Sequence, residues 1–153
     1  RDIPPDLEDA GRRVLKVYNV RQRFFHFEFF RAPDNSLVAL EVNMRPPGGM
    51  TTDMFNYAND IDIYEQWANI IVSNRFTAEY SRKYYCGYIG RKFNRSYAHS
   101  HEQIVYNFGS KLVHHEPISG VFSAALGDYG YLVRSPELSE IQMMAEYIQR
   151  PAE

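Results

Sequence analysis

A single cysteine, Cys86, in 153 residues leaves no partner for an internal disulfide, so core packing and hydrogen bonds must hold this fold. Such usage suits a reducing compartment, and a cytoplasmic location is the expectation. No apolar run approaches the ~20 residues of a membrane span, and the mean hydropathy of -0.47 fits a water-soluble chain with no membrane partner. Neither sign of charge dominates. The 17 Lys and Arg against 19 Asp and Glu leave a net charge of -2, without a run of like charge to attract nucleic acid or anionic lipid. No repeat, low-complexity segment or Gly-rich phosphate loop is present. No signal-peptide pattern is visible, although a chain that starts at Arg1 says little about targeting of its parent.

What is present is a hydrophobic fraction of 44%, enough for a real core in one domain or two small ones. The segment that organises the rest runs Ala39-Leu40-Glu41-Val42-Asn43-Met44-Arg45-Pro46-Pro47-Gly48-Gly49. In an extended strand Glu41, Asn43 and Arg45 share one face, and Val38, Leu40, Val42 and Met44 share the other, as a core side. The preceding run, Phe24 to Phe30, reads as its partner strand, with Pro33-Asp34-Asn35-Ser36 as turn chemistry. If Ala32 and Leu37 close the loop, Glu28 lies opposite Glu41, His26 opposite Asn43 and Phe24 opposite Arg45. Opposed side chains start from Cβ atoms ~5 Å apart. Two bare carboxylates there repel by roughly 3 kcal/mol at an effective dielectric near 20. A divalent cation turns that repulsion into affinity, because hard oxygen donors suit Mg²⁺ and the planar fork of an arginine suits phosphate.

A strand carrying Glu, a short turn and a strand reading Glu-x-Asn-x-Arg-Pro-x-Gly-Gly resembles the metal-binding core of the ATP-grasp superfamily of carboxylate-amine ligases. The likeness covers roughly Leu7 to Trp67. It implies that Glu28, Glu41 and Asn43 are ligands of Mg²⁺ or Mn²⁺, that Arg45 is the catalytic contact to phosphate or an acyl phosphate, and that Arg45, Gly48 and Gly49 approach the ATP phosphates. It further implies ATP and small carboxylate and amine substrates. The family's lysines and flexible Gly-rich loop lie upstream of this segment, so the chain is expected to be the C-terminal portion of a longer ligase, inactive alone and able to form a homo-oligomer.

The expected fold class is α+β, an antiparallel sheet with packed helices. Residues 1–80 are read as the C-terminal part of an ATP-grasp domain, and 81–153 as a small β-rich lobe ending in a helix. Asp6 is a plausible N-cap for a first helix carrying Leu7, Ala10, Val14 and Leu15, which packs on the hairpin. Thr51 and Thr52 can open a second helix that Asn59-Asp60 breaks, and Asp62 can cap a third. Beyond Tyr80, the runs Tyr84–Lys92, Gln103–Phe108, Leu112–Glu116, Val121–Leu126 and Tyr129–Arg134 read as strands, and Ser135-Pro136 precedes a last helix.

Other residues invite weaker readings. His99, His101, His114 and His115 could gather a Zn²⁺ ion, but exposed or hydrogen-bonded histidines are the default. Cys86 reads as a small buried hydrophobe rather than a nucleophile. Arg21 and Arg23 read as solvated charges. His26 shares the Glu28 face, where it either touches a ligand or pairs with a carboxylate. Two rival functions are a glycosidase-like pair of carboxylates, Glu28 and Glu41, and a non-catalytic interaction module in which the hairpin is a remnant.

Overall fold

The computed structural model describes residues 3–152, and these form a mixed α+β chain. In chain order the elements are α1 (Pro5–Val17), β1 (His26–Arg31), β2 (Leu37–Asn43), α2 (Thr51–Asn59), α3 (Ile63–Ser73), β3 (Tyr85–Arg91), α4 (His101–Phe108), β4 (Leu112–Pro117), α5 (Gly120–Leu126), β5 (Tyr129–Ser135) and α6 (Leu138–Gln149). They divide into two compact units, the first made of Arg1–Thr52 with Asp62–Glu79 and the second of Asp53–Ile61 with Tyr80–Glu153. No helix among the described residues is long and apolar enough to cross a membrane.

The first unit holds α1, the antiparallel β1–β2 hairpin and α3. Helix α1 starts one residue before the capping site expected from sequence. Pro5 occupies its first turn, where a missing N–H costs nothing. Asp6 therefore caps nothing and instead binds the Arg31 guanidinium at 2.8 Å, tying α1 to the end of β1. A Cβ on Gly11 would lie 3.8 Å from the Phe27 ring, so the helix meets the hairpin at that point. Asp62 does cap α3, accepting from the backbone of Tyr64 and Glu65 at 2.9 and 3.0 Å. Gln66, buried in α3, accepts from the amides of Thr77 and Ala78 and so holds the segment that follows the helix. The expected core side of β2 is not buried: Val38 and Leu40 are 53% and 54% exposed.

The second unit is built on a three-stranded antiparallel sheet in the order β3-β5-β4. The central strand is the most apolar, and Tyr131, Leu132 and Val133 are all buried. Helix α6 packs on β3 and β5, and Ile89, Ile104, Tyr131, Val133, Met144 and Ile148 form one core cluster. Gly90 is required by close approach, since a Cβ there would lie 2.1 Å from the Leu126 carbonyl oxygen. The buried Arg91 is held by carbonyls, donating to Ile148 at 2.6 Å and His99 at 2.8 Å, with Tyr97 under its guanidinium.

Two of the five expected strands in this unit are helical, so it is not β-rich. Gln103–Phe108 lies in α4 because Ser100 and Gln103 form a reciprocal capping box. The residues that suggested a strand, Val105 and Tyr106, are its outer face, while Ile104 is fully buried four residues before the half-buried Phe108. Val121–Leu126 is the short helix α5, ended by Gly127 at φ +94°. The remaining three strands and α6 fall where the sequence placed them, within about two residues.

Two measurements probe this unit. Met144→Ala and Ile104→Ala are expected to lower unfolding stability by about 2–5 kcal/mol. Tyr106→Ala, 88% exposed in wild type, should change it by about 0.5 kcal/mol or less in urea denaturation. Asp60 accepts from Arg134 at 2.7 Å and Lys83 at 3.3 Å, and the Arg134 bond chiefly holds its carboxyl below 3.8. A depressed carboxyl pKa contributes stability that is present above 3.8 and is lost as pH falls through the lower folded value. Asp60→Asn should therefore flatten the loss of urea midpoint as pH falls below 3.8, while lowering the midpoint at pH 7.

Candidate metal centre

The hairpin places His26 opposite Asn43, Phe27 opposite Val42 and Glu28 opposite Glu41, the pairing expected near the motif. It does so by another route. The turn is one residue longer than expected: Arg31 pairs with Leu37, and Ala32 bonds to Ser36 at 2.9 Å. Asp34 stabilises this turn by accepting from the amide and hydroxyl of Ser36, and Asn35 takes a φ of +65°. A register shift between Glu28 and Phe29, with Leu40 left over on β2, then absorbs the extra residue. The Phe24–Arg45 pair is not formed in the ladder, because β1 begins at His26 and β2 ends at Asn43.

Among the described residues, one group of three His, Cys, Asp or Glu side chains comes together: ligand atoms of His26, Glu28 and Glu41 lie within 4.8 Å of one another. Asn43 completes the cluster. Its Nδ2 donates to Glu41 Oε1 at 2.6 Å and to His26 Nε2 at 3.1 Å, while Nε2 lies 3.3 Å from the same Oε1. His26 is more enclosed than Glu41, its side chain 15% exposed against 46%. Two carboxylates, an imidazole and an amide fit a divalent cation. An octahedral ion with bonds of about 2.0–2.1 Å sets neighbouring donors roughly 3 Å and opposite ones roughly 4 Å apart.

Arg45 lies past the strand end, exposed, with Nη1 donating to the carbonyl of Pro46 at 3.0 Å. Its own carbonyl faces His26 Nδ1 at 3.0 Å. Gly49 takes φ +61° and Gly48 faces open space, so the pair turns the chain into α2, where Thr52 Oγ1 donates to Pro47 at 3.1 Å. Beside the centre runs a groove of about 740 Å³ bordered by Tyr18, Arg21, Arg23, Leu40, Glu41 and Met44. Of the two arginines, Arg21 also binds the Asn19 side chain at 2.9 Å.

Among the described residues the four C-terminal histidines form no metal-ligating group of three, although the rings of His101 and His115 meet edge to face at 4.9 Å. His99 stacks on Tyr147 at 3.6 Å, and His101 and His115 bond to the hydroxyls of Tyr131 and Tyr129. His114 faces Glu116 at 3.4 Å. Cys86 is half-buried, and desolvation pushes its thiol up to about 11. The residue whose place in the cluster was least visible from sequence is His26. Its signal was its position two residues before Glu28, on the same face. No family model and no curated protein matches this chain.

The like-charge pair has a measurable consequence in the metal-free protein. Glu41→Gln removes one of two opposed carboxylates while keeping an acceptor for Asn43, so it should stabilise the first unit in EDTA by about 0.2–1 kcal/mol. Thermal melts followed by the hairpin's aromatic signals test the sign.

Proposed function

We propose that the hairpin is the metal- and phosphate-binding element of an ATP-dependent ligase of the ATP-grasp kind, which activates a carboxylate for attack by an amine or similar nucleophile. The observation that carries this reading is the pairing of Glu28 with Glu41, with Asn43 on the same cluster and Arg45 just beyond the strand. Neither the Gly-x-x-x-x-Gly-Lys loop nor a dinucleotide fingerprint competes with it in the sequence.

Mg²⁺ or Mn²⁺, when bound, would supply charge neutralisation for the phosphoryl group. The residues of the chain divide the remaining work. Glu28 and Glu41 present carboxylate oxygens, and Asn43 adds its amide oxygen after a half-turn of the side chain. Arg45 exchanges a neutral bond to Pro46 for a stronger, forked one to the phosphoryl group that moves from ATP to the substrate carboxylate. Loss of ADP leaves a mixed anhydride of the carboxylate and phosphate, and the nucleophile then displaces inorganic phosphate. Gly48 and Gly49 allow backbone amides to approach the nucleotide. The groove beside Glu41, bordered by Arg21 and Arg23, falls in the size range of small-ligand sites. In this reading the rest of the nucleotide site comes from an upstream part of a longer parent, in the cytoplasm.

Calorimetric titration with MgCl₂, with and without ATP, tests the metal part. Binding should weaken at least about tenfold in Glu41→Gln, as loss of a charged ligand demands. In the parent protein, hydroxylamine should trap an ATP-dependent hydroxamate from the right carboxylate, and Arg45→Ala should remove it. Full trapping by the Glu41→Gln parent would overturn the proposal.

A further inference from the structure

We propose that His26 is an additional ligand of this centre through Nε2, and that it biases the site toward Mn²⁺ and similar borderline ions over Mg²⁺. The inference rests on the metal-binding reading of the hairpin and deepens it. Its starting point is the tautomer. His26 Nδ1 faces the carbonyl oxygen of Arg45 at 3.0 Å, and a carbonyl can only accept, so Nδ1 carries the proton. The other nitrogen then presents a lone pair. A backbone carbonyl that fixes one ring nitrogen and frees the other for metal is the usual support of a histidine ligand.

The second step concerns what occupies the space in front of that lone pair. Nε2 and Glu41 Oε1 are both acceptors only 3.3 Å apart, an unfavourable contact unless something positive lies between them. The Asn43 Nδ2 group fills that role, 3.1 Å from one and 2.6 Å from the other. Its two N–H bonds satisfy both acceptors, as a cation would. Rotating the amide by half a turn withdraws the donor and brings Oδ1 forward, so Asn43 holds the place of the ion and then becomes a ligand.

The third step is selectivity. Glu28, Glu41 and Asn43 offer hard oxygens, which Mg²⁺ accepts readily. An imidazole nitrogen adds more affinity for Mn²⁺ and the later divalent ions, which take nitrogen donors more easily and stand higher in the general affinity order. With its side chain 15% exposed, His26 is already held in place, so little freedom is lost on binding.

Mn²⁺ is the probe, on the whole chain labelled with ¹⁵N-histidine. Pulsed electron paramagnetic resonance should show histidine nitrogen coupling to the bound ion in the wild-type protein. His26→Asn keeps a donor for the Arg45 carbonyl but lacks the far ring nitrogen. It should abolish the coupling and raise the Mn²⁺ Kd at least about tenfold, while the Mg²⁺ Kd shifts less than about threefold. Glu41→Gln should weaken both ions. Mn²⁺ bound in a Glu41-dependent way with no histidine coupling overturns the His26 assignment and leaves the metal reading standing. Equal weakening of both ions by His26→Asn reduces the residue to a positioning role and overturns the selectivity claim. If Glu41→Gln leaves both affinities unchanged, the metal reading fails and His26 with it.

Discussion

Glu28 and Glu41 are held opposite each other by a backbone ladder that neither carboxylate can relax on its own. A two-stranded hairpin is marginal in water by itself, and like charges at directly opposed positions weaken it further. The surrounding contacts offset that cost. Asp6 and Arg31 tie the end of β1 to α1, the Phe27 ring lies under Gly11, and Asp34 organises the turn. Asn43 directs a hydrogen-bond donor at Glu41 rather than at solvent.

The second unit follows the opposite logic. Its central strand is almost wholly apolar, and the core cluster closes around Val133, Met144 and Ile148 without an acidic group. Its one buried cation, among the described residues, is Arg91, which draws on two carbonyls and an aromatic face instead of a carboxylate. Burial lowers the pKa of that guanidinium, yet no counter-ion accompanies it. Stability in this unit comes from packing, whereas the first unit spends exposed surface on a charged cluster and leaves Phe30, Val38 and Leu40 open.

The strand pairing at the candidate site was legible because period-two alternation and turn residues are local signals. The match at Glu28 and Glu41 survived an error, since the longer turn and the extra Leu40 cancel before the ladder reaches them. Such cancellation is set by backbone geometry, and nothing in the side-chain pattern announces a bulge at Leu40. Helix α4 was misread because Val105 and Tyr106 are β-formers placed on an exposed face, while the Ser100–Gln103 capping box was the better signal. Asp6 misled for the converse reason: a good capping residue was outranked by Pro5 and drawn away by Arg31, 25 positions on. The orientation of the His26 ring depends on a carbonyl contributed by Arg45, and main-chain acceptors leave no trace in composition or spacing.

Cys86 gives the fold a practical property. With its thiol pushed up to about 11 by desolvation, little of the reactive thiolate form is present at pH 7. The native sulfur should therefore react slowly with alkylating and spin-labelling reagents. A cysteine introduced at an exposed hairpin position such as Ser36 would take a probe selectively, without first removing the natural one.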